Sequence, residues 1–304
     1  MDCHMVSAQD WALTRQALVR SIAHPTQAGS MRPSSSFRQI AALLSRVILL
    51  ACLCFSAPFA AQAGGQASQD APAQLRLGFF LAPPHAYTLP SGRSGGAAVD
   101  LLVRHIAPLM GIPVEAVGPY PFARLLHDFD ARKLDGILML SRSPERELLF
   151  TFPETPFHSM SPSLAVADDS PITEFTPETR LEGKRIGTIL GAWIPKILLT
   201  SGARLDPTIG DSSTALNLQK LIGGRVEAVY SPDAATLKEV IRRMPHAPAI
   251  RILPIPAPRL AVYTVFARHI PAGIVKRYDK ALQKVLSTIS YKSLEQQHLL
   301  APVR

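Results

Sequence analysis

The hydrophobic positions along the chain alternate between two periods. Short apolar runs of strand length at 75–81, 112–117 and 134–140 are separated by stretches in which apolar residues recur at helical spacing. Val99, Leu102, Ile106 and Leu109 mark one such helix, and Gly111 stops it because glycine takes the left-handed conformation that ends helices. Phe122, Leu125, Leu126 and Phe129 mark another. Alternation of this kind predicts a mostly parallel sheet with right-handed crossovers. After a polar, proline-containing stretch at 168–179 the pattern restarts, with strands at 184–189, 226–230 and 250–253 and helices at 194–199, 215–222 and 234–243. Two α/β lobes follow. The proline-rich segment 254–258 and a strand at 260–266 return the chain to the first lobe, where Ile274, Tyr278, Ala281, Val285 and Ile289 give a terminal amphipathic helix. The predicted organisation is a first lobe of 74–166 with 260–304, a second lobe of 167–259, and hinge crossings near 164–168 and 258–263.

The N-terminal 63 residues read differently. Arg32, Arg38 and Arg46 precede an apolar run at 47–60, and Ala61-Gln62-Ala63 is a small-x-small cleavage pattern before Gly64. The apolar core is short for a membrane span. A cleavable signal peptide and a periplasmic location are therefore expected, followed by a flexible tether at 64–73 rich in Gly, Ala, Ser and Gln. A competing lipoprotein reading at Cys52 is weakened by the apolar residues that continue beyond it. Cys3, Cys52 and Cys54 all precede the cleavage point, so the exported part has no disulfide, thiolate metal site or cysteine nucleophile. Of the formal charge of +9, +3 falls in residues 1–63, leaving +6. The basic residues are scattered rather than clustered, which speaks for a solvated basic surface and against nucleic acid as a partner.

The segment 135–157 carries the main chemistry. Its apolar strand ends at Ser141, Ser143 and Pro144, and in open α/β sheets ligands bind beyond the carboxyl ends of strands. Arg146 then stands where a small anion can be held, and a guanidinium fork matches a carboxylate with two parallel hydrogen bonds. Asp135-Gly136, Ser141, Ser143-Pro144-Glu145-Arg146 and Phe152-Pro153-Glu154-Thr155-Pro156-Phe157 together resemble the first lobe of the extracellular solute-binding proteins of family 3, the polar amino acid receptors of ABC transporters. The similarity extends to Gly96-Ala97-Ala98-Val99-Asp100-Leu101, to Leu181-Glu182-Gly183-Lys184-Arg185-Ile186-Gly187 and to Gly224-Arg225-Val226-Glu227-Ala228.

The resemblance implies a type II two-lobed periplasmic-binding-protein fold and a small carboxylate-bearing ligand, an amino acid or a relative. Arg146 with Ser141 would clamp the carboxylate, and backbone donors of Gly191, Ala192 and Trp193 would complete that site from the second lobe. Tyr87 would face the ligand side chain. The family's ammonium-binding aspartate falls at Pro232 by direct count, with Asp233 next, so Asp233 either serves by a one-residue shift or acts only as a helix cap. The implied partner is an ABC permease or a membrane sensor, with the receptor itself a monomer. No cofactor, catalytic residue or metal is expected, since His85 and His158 lack a second ligand at metal-binding spacing. Two alternatives stay open: an enzyme on the same fold, similar to cyclohexadienyl dehydratase or a lytic transglycosylase, with Glu154 or Glu227 as its acid, and a receptor-like scaffold without a ligand.

Overall fold

A computed structural model describes residues 72–245 and 249–299 of the 304-residue chain. The expected signal peptide, and all of the expected tether but its last two residues, lie outside these residues. Among them, no helix is long and apolar enough to cross a membrane.

The chain opens with β1 (Leu75–Gly78) and a small hairpin of β2 (Tyr87–Thr88) and β3 (Ser94–Gly95). A helical stretch follows, with a π-helical middle at Leu101–Ile106, and ends at Gly111 with φ 63° as the glycine stop predicts. Next come β4 (Val114–Val117), the helix Phe122–Asp130, β5 (Gly136–Ser141), a single helical turn at Pro144–Glu147, β6 (Phe150–Thr151) and β7 (His158–Met160). Every residue of β5 is buried, because the strand has neighbours on both edges and packing on both faces. This first sheet has the order β4-β1-β5-β13-β6, with β7 also paired to β13 (Leu260–Ala267).

The second sheet is built from β8 (Ser163–Ala167), β9 (Arg185–Ile189), β10 (Arg204–Thr208), β11 (Ala228–Ser231) and β12 (Ile250–Pro254) in the order β10-β9-β11-β8-β12. In both sheets the strands joined by crossover helices are parallel: β4, β1 and β5 in the first, and β10, β9 and β11 in the second. Strands arriving from the other lobe, β13 and β8, run antiparallel to them, because no crossover helix returns the chain to the starting edge.

β8 belongs to the second sheet, so the first crossing falls at 161–162 rather than at the expected 164–168. The return crossing at 255–259 runs beside it, with the Ile255 amide donating to the Pro162 carbonyl at 3.0 Å. The first core packs Leu77, Leu125, Ile137 and Val265 with the helix Ala272–Leu286, including Tyr278 and Leu282. Separate clusters cover the two faces of the second sheet, one around Leu164, Ile186 and Tyr230 and the other around Leu218, Val229 and Leu237. A final helix, Tyr291–Leu299, which the apolar spacing did not reveal, closes against the first lobe.

Candidate functional site

A cavity of about 90 Å³ opens between the sheets, beyond the carboxyl ends of β1, β5, β9, β10 and β11. That is several times the space a single water needs. Phe80, Phe122, Met139, Met160, Ile189 and Trp193 give it a largely apolar wall, and Ser141, Arg146, Asp211, Ser213 and Thr214 supply the polar side chains.

Arg146 is presented by local geometry. Pro144 starts a helical turn whose N-cap, Ser143, accepts from the Arg146 amide at 3.3 Å, and this aims the side chain back over the end of β5. Nη1 donates to the Ser141 carbonyl at 3.0 Å and to the Ser141 hydroxyl, while Nη2 donates to the Gly191 carbonyl at 3.2 Å. The guanidinium lies 5.9 Å from the centre of the Phe122 ring. Among the described residues no carboxylate forms an ion pair with it; desolvation lowers its pKa to about 10, opposed only by the nearby Glu145 charge. The group stays protonated at neutral pH and donates to two carbonyls and a hydroxyl rather than to a carboxylate among the described residues.

Gly191, Ala192 and Trp193 line the cavity from the second sheet. Gly191 adopts φ 79°, and a Cβ there would sit 3.0 Å from the Phe122 ring, so both the turn and the close approach call for glycine. Tyr230, buried on β11, donates to the Trp193 carbonyl at 2.7 Å and fixes this loop to the sheet.

Two expected residues lie elsewhere. Tyr87 folds back into the β2–β3 hairpin, where its hydroxyl meets His298 Nδ1 at 3.0 Å and its ring carries the Arg243 guanidinium at 4.6 Å. Phe80 and Leu81, directly after β1, take the place beside the cavity. Asp233 is a buried helix cap: its carboxylate accepts from the Thr236 amide at 2.8 Å and hydroxyl at 2.9 Å. Pro232 lines the cavity instead. Burial pushes the Asp233 carboxyl up, and donors from His85 and Thr236 outweigh this to hold it at about 2. Of the acids weighed for an enzyme, Glu227 accepts from the Arg185 amide at 2.6 Å, and neither it nor Glu154 lines the cavity.

The sequence missed Asp211, an exposed acid on the turn that opens the helix Ser213–Ile222 and the one carboxylate among the described lining residues. Its only sequence signal was Gly210 ahead of an Asp-Ser-Ser cluster, which reads as an ordinary helix start. It also missed a cluster beside the crossings. His85 Nε2 meets Asp233 Oδ2 at 2.9 Å, His85 Nδ1 meets the Tyr291 hydroxyl at 2.8 Å, and the His158 ring lies 5.0 Å from the His85 ring. Desolvation, reinforced by the His85 charge, lowers the His158 pKa to about 4.

No family model and no curated protein matches the sequence. Solved structures do match in three dimensions. A mutant of ArgBP from T. maritima aligns with a TM-score of 0.63 and 20% identity over 75% of this chain and 96% of that one. An amino acid ABC transporter substrate-binding protein, AbpA from Streptococcus pneumoniae, bound to L-arginine, gives 0.62 and 19% over 75% and 94%. The periplasmic VFT2 domain of Bordetella pertussis BvgS gives 0.63 and 15% over 74% and 93%. With its two sheets, paired crossings and cavity at the strand ends, the chain has the two-lobed periplasmic-binding-protein fold that these structures share.

Proposed function

We propose that the protein binds a small carboxylate-bearing solute, an amino acid or a close relative, in the cavity between its lobes, and serves uptake or sensing in the periplasm. The observation that carries this reading is Arg146: a protonated guanidinium at the cavity wall, anchored by Ser141 and forming no ion pair with a carboxylate among the described residues. A carboxylate entering the cavity supplies the missing anion and accepts both arms of the fork. Gly191, Ala192 and Trp193 approach the same space from the second lobe, so a bound solute touches both lobes and favours their closure. Asp211, rather than the capped Asp233, is placed to accept an ammonium group. The apolar wall selects a ligand whose remaining side chain is hydrophobic or aromatic.

The solved neighbours include an amino acid ABC transporter substrate-binding protein bound to L-arginine and the periplasmic VFT2 domain of BvgS, which supports solute recognition; an ABC permease or a membrane sensor is the partner class in this reading. A thermal-shift screen of the purified protein against the amino acids, dicarboxylates and prephenate-like acids tests the reading. A saturable rise in the unfolding midpoint with the solute recovered unchanged supports it. Turnover of the solute, or no response to any carboxylate, contradicts it.

A further inference from the structure

We propose that His85, His158 and Asp233 form a site for a divalent transition metal, zinc by its donor set, that joins the two lobes beside their crossings. One ligand atom from each of the three residues lies within 4.8 Å of the other two. The residues come from distant parts of the chain: His85 from the loop after β1, His158 from β7, and Asp233 from the cap of the helix Ala234–Arg243 on the second sheet.

Three features support a metal site here. His85 and Asp233 are 0% and 4% exposed, so the pair they form is screened from solvent. The Nε2 of His158 is buried and finds no hydrogen-bond partner, although burying an unpaired ring nitrogen is costly. A metal ion would satisfy it. Two imidazoles and one carboxylate also make a mixed nitrogen and oxygen set, which suits zinc and its neighbours, whereas calcium and magnesium favour oxygen alone.

The surroundings already hold the ligands as a metal site requires. His85 Nδ1 lies 2.8 Å from the Tyr291 hydroxyl, and the carboxylate of Asp233 is oriented by the amide and hydroxyl of Thr236. Metal-binding histidines use a second polar partner of this kind to fix their tautomer and ring orientation. When a metal takes His85 Nε2, the imidazole proton resides on Nδ1 and the Tyr291 oxygen accepts it. The fourth position is left to water. Because its ligands come from both lobes, the bound ion restrains their relative orientation without occupying the solute cavity.

Cobalt(II) is the probe. The chelator-treated full chain is titrated with cobalt chloride, and the visible absorption of low-symmetry cobalt is followed. The proposal expects a band that saturates at one equivalent, disappears on adding zinc, and is absent in His158→Phe, together with a zinc-induced rise in the unfolding midpoint of the wild type alone. His158→Gln serves as the second variant should the phenylalanine disturb packing; it too should lose the band. Absence of a band and of a zinc response in the wild type, or a band of equal strength in the folded variants, overturns the proposal.

Discussion

Arg146 Nη2 donates to the Gly191 carbonyl at 3.2 Å, joining a side chain presented at the end of β5 to a turn that follows β9 on the other sheet. Arg146, the one cation among the described lining residues, thus reaches across the cleft. A solute carboxylate inserted at this point exchanges a neutral carbonyl acceptor for a charged one, which is the stronger partner for a guanidinium. Ligand capture and lobe contact therefore converge on one residue.

The Gly191 turn should tolerate no side chain. A left-handed backbone costs a non-glycine residue about 1–2 kcal/mol, and the added Cβ meets the Phe122 ring at 3.0 Å. Gly191→Ala is expected to lower the unfolding midpoint slightly and to weaken affinity for the amino acid selected by the screen by about tenfold, a loss of about 1.4 kcal/mol. Wild-type affinity by calorimetry would show that the close approach has no role in binding.

The two aspartates should separate binding from folding. Asp211 is exposed and lines the cavity, so Asp211→Asn should leave the unfolding midpoint unchanged. It should weaken an amino acid more than the matching carboxylic acid that lacks the amino group. Asp233→Ala removes a cap, costing about 1 kcal/mol, and strands His85, so its effect should appear first in stability. Equal losses for amino acid and carboxylic acid in Asp211→Asn would remove it from the ammonium subsite.

Acid stability should depend on Glu239. Burial alone raises its carboxyl, but donors from Arg242 at 2.7 and 2.8 Å and from Arg243 at 2.6 Å outweigh this and hold it below its ordinary value of 4.5. A depressed carboxylate contributes stability that is present above the unfolded value and is lost as pH falls through the folded one. Arg243 also covers the Tyr87 ring, so the pair links the second lobe to the hairpin of the first. Thermal melts between neutral pH and about pH 3 should show a falling midpoint below about pH 4.5. Glu239→Gln should start lower at neutral pH and fall less steeply; a parallel curve would contradict this role.

Much of the fold could be read along the chain because the strands are short apolar runs and the helices keep their period. β5 and the helix Ala234–Arg243 are instances: six consecutive buried positions in the first, and an Asp cap followed by an amphipathic pattern in the second. β10 was missed because Asp206 and Pro207 look like a turn, yet an edge strand tolerates both, since proline's missing donor faces away from the ladder. The stretch expected as the first hinge crossing, 164–168, instead forms most of β8 in the second sheet, and this moved the crossing. Ser141 and Arg146 were singled out by their place at and beyond a strand end, Gly191 by the family resemblance, and all three line the cavity. Asp211, and the meeting of His85, His158 and Asp233, were not legible, because tertiary folding alone brings such distant short side chains together.

The most direct measurement of the central claim is calorimetric titration of wild type, Arg146→Lys and Arg146→Ala with the amino acid that the screen selects. Removing one partner of a desolvated charged pair costs about 2–5 kcal/mol, so Arg146→Ala should bind about thirty-fold more weakly or worse. Arg146→Lys should fall between, keeping the charge but losing one of two parallel hydrogen bonds. Both variants should fold, because the side chain lies at the cavity wall rather than in either core. Near-wild-type affinity for a folded Arg146→Ala would contradict the account.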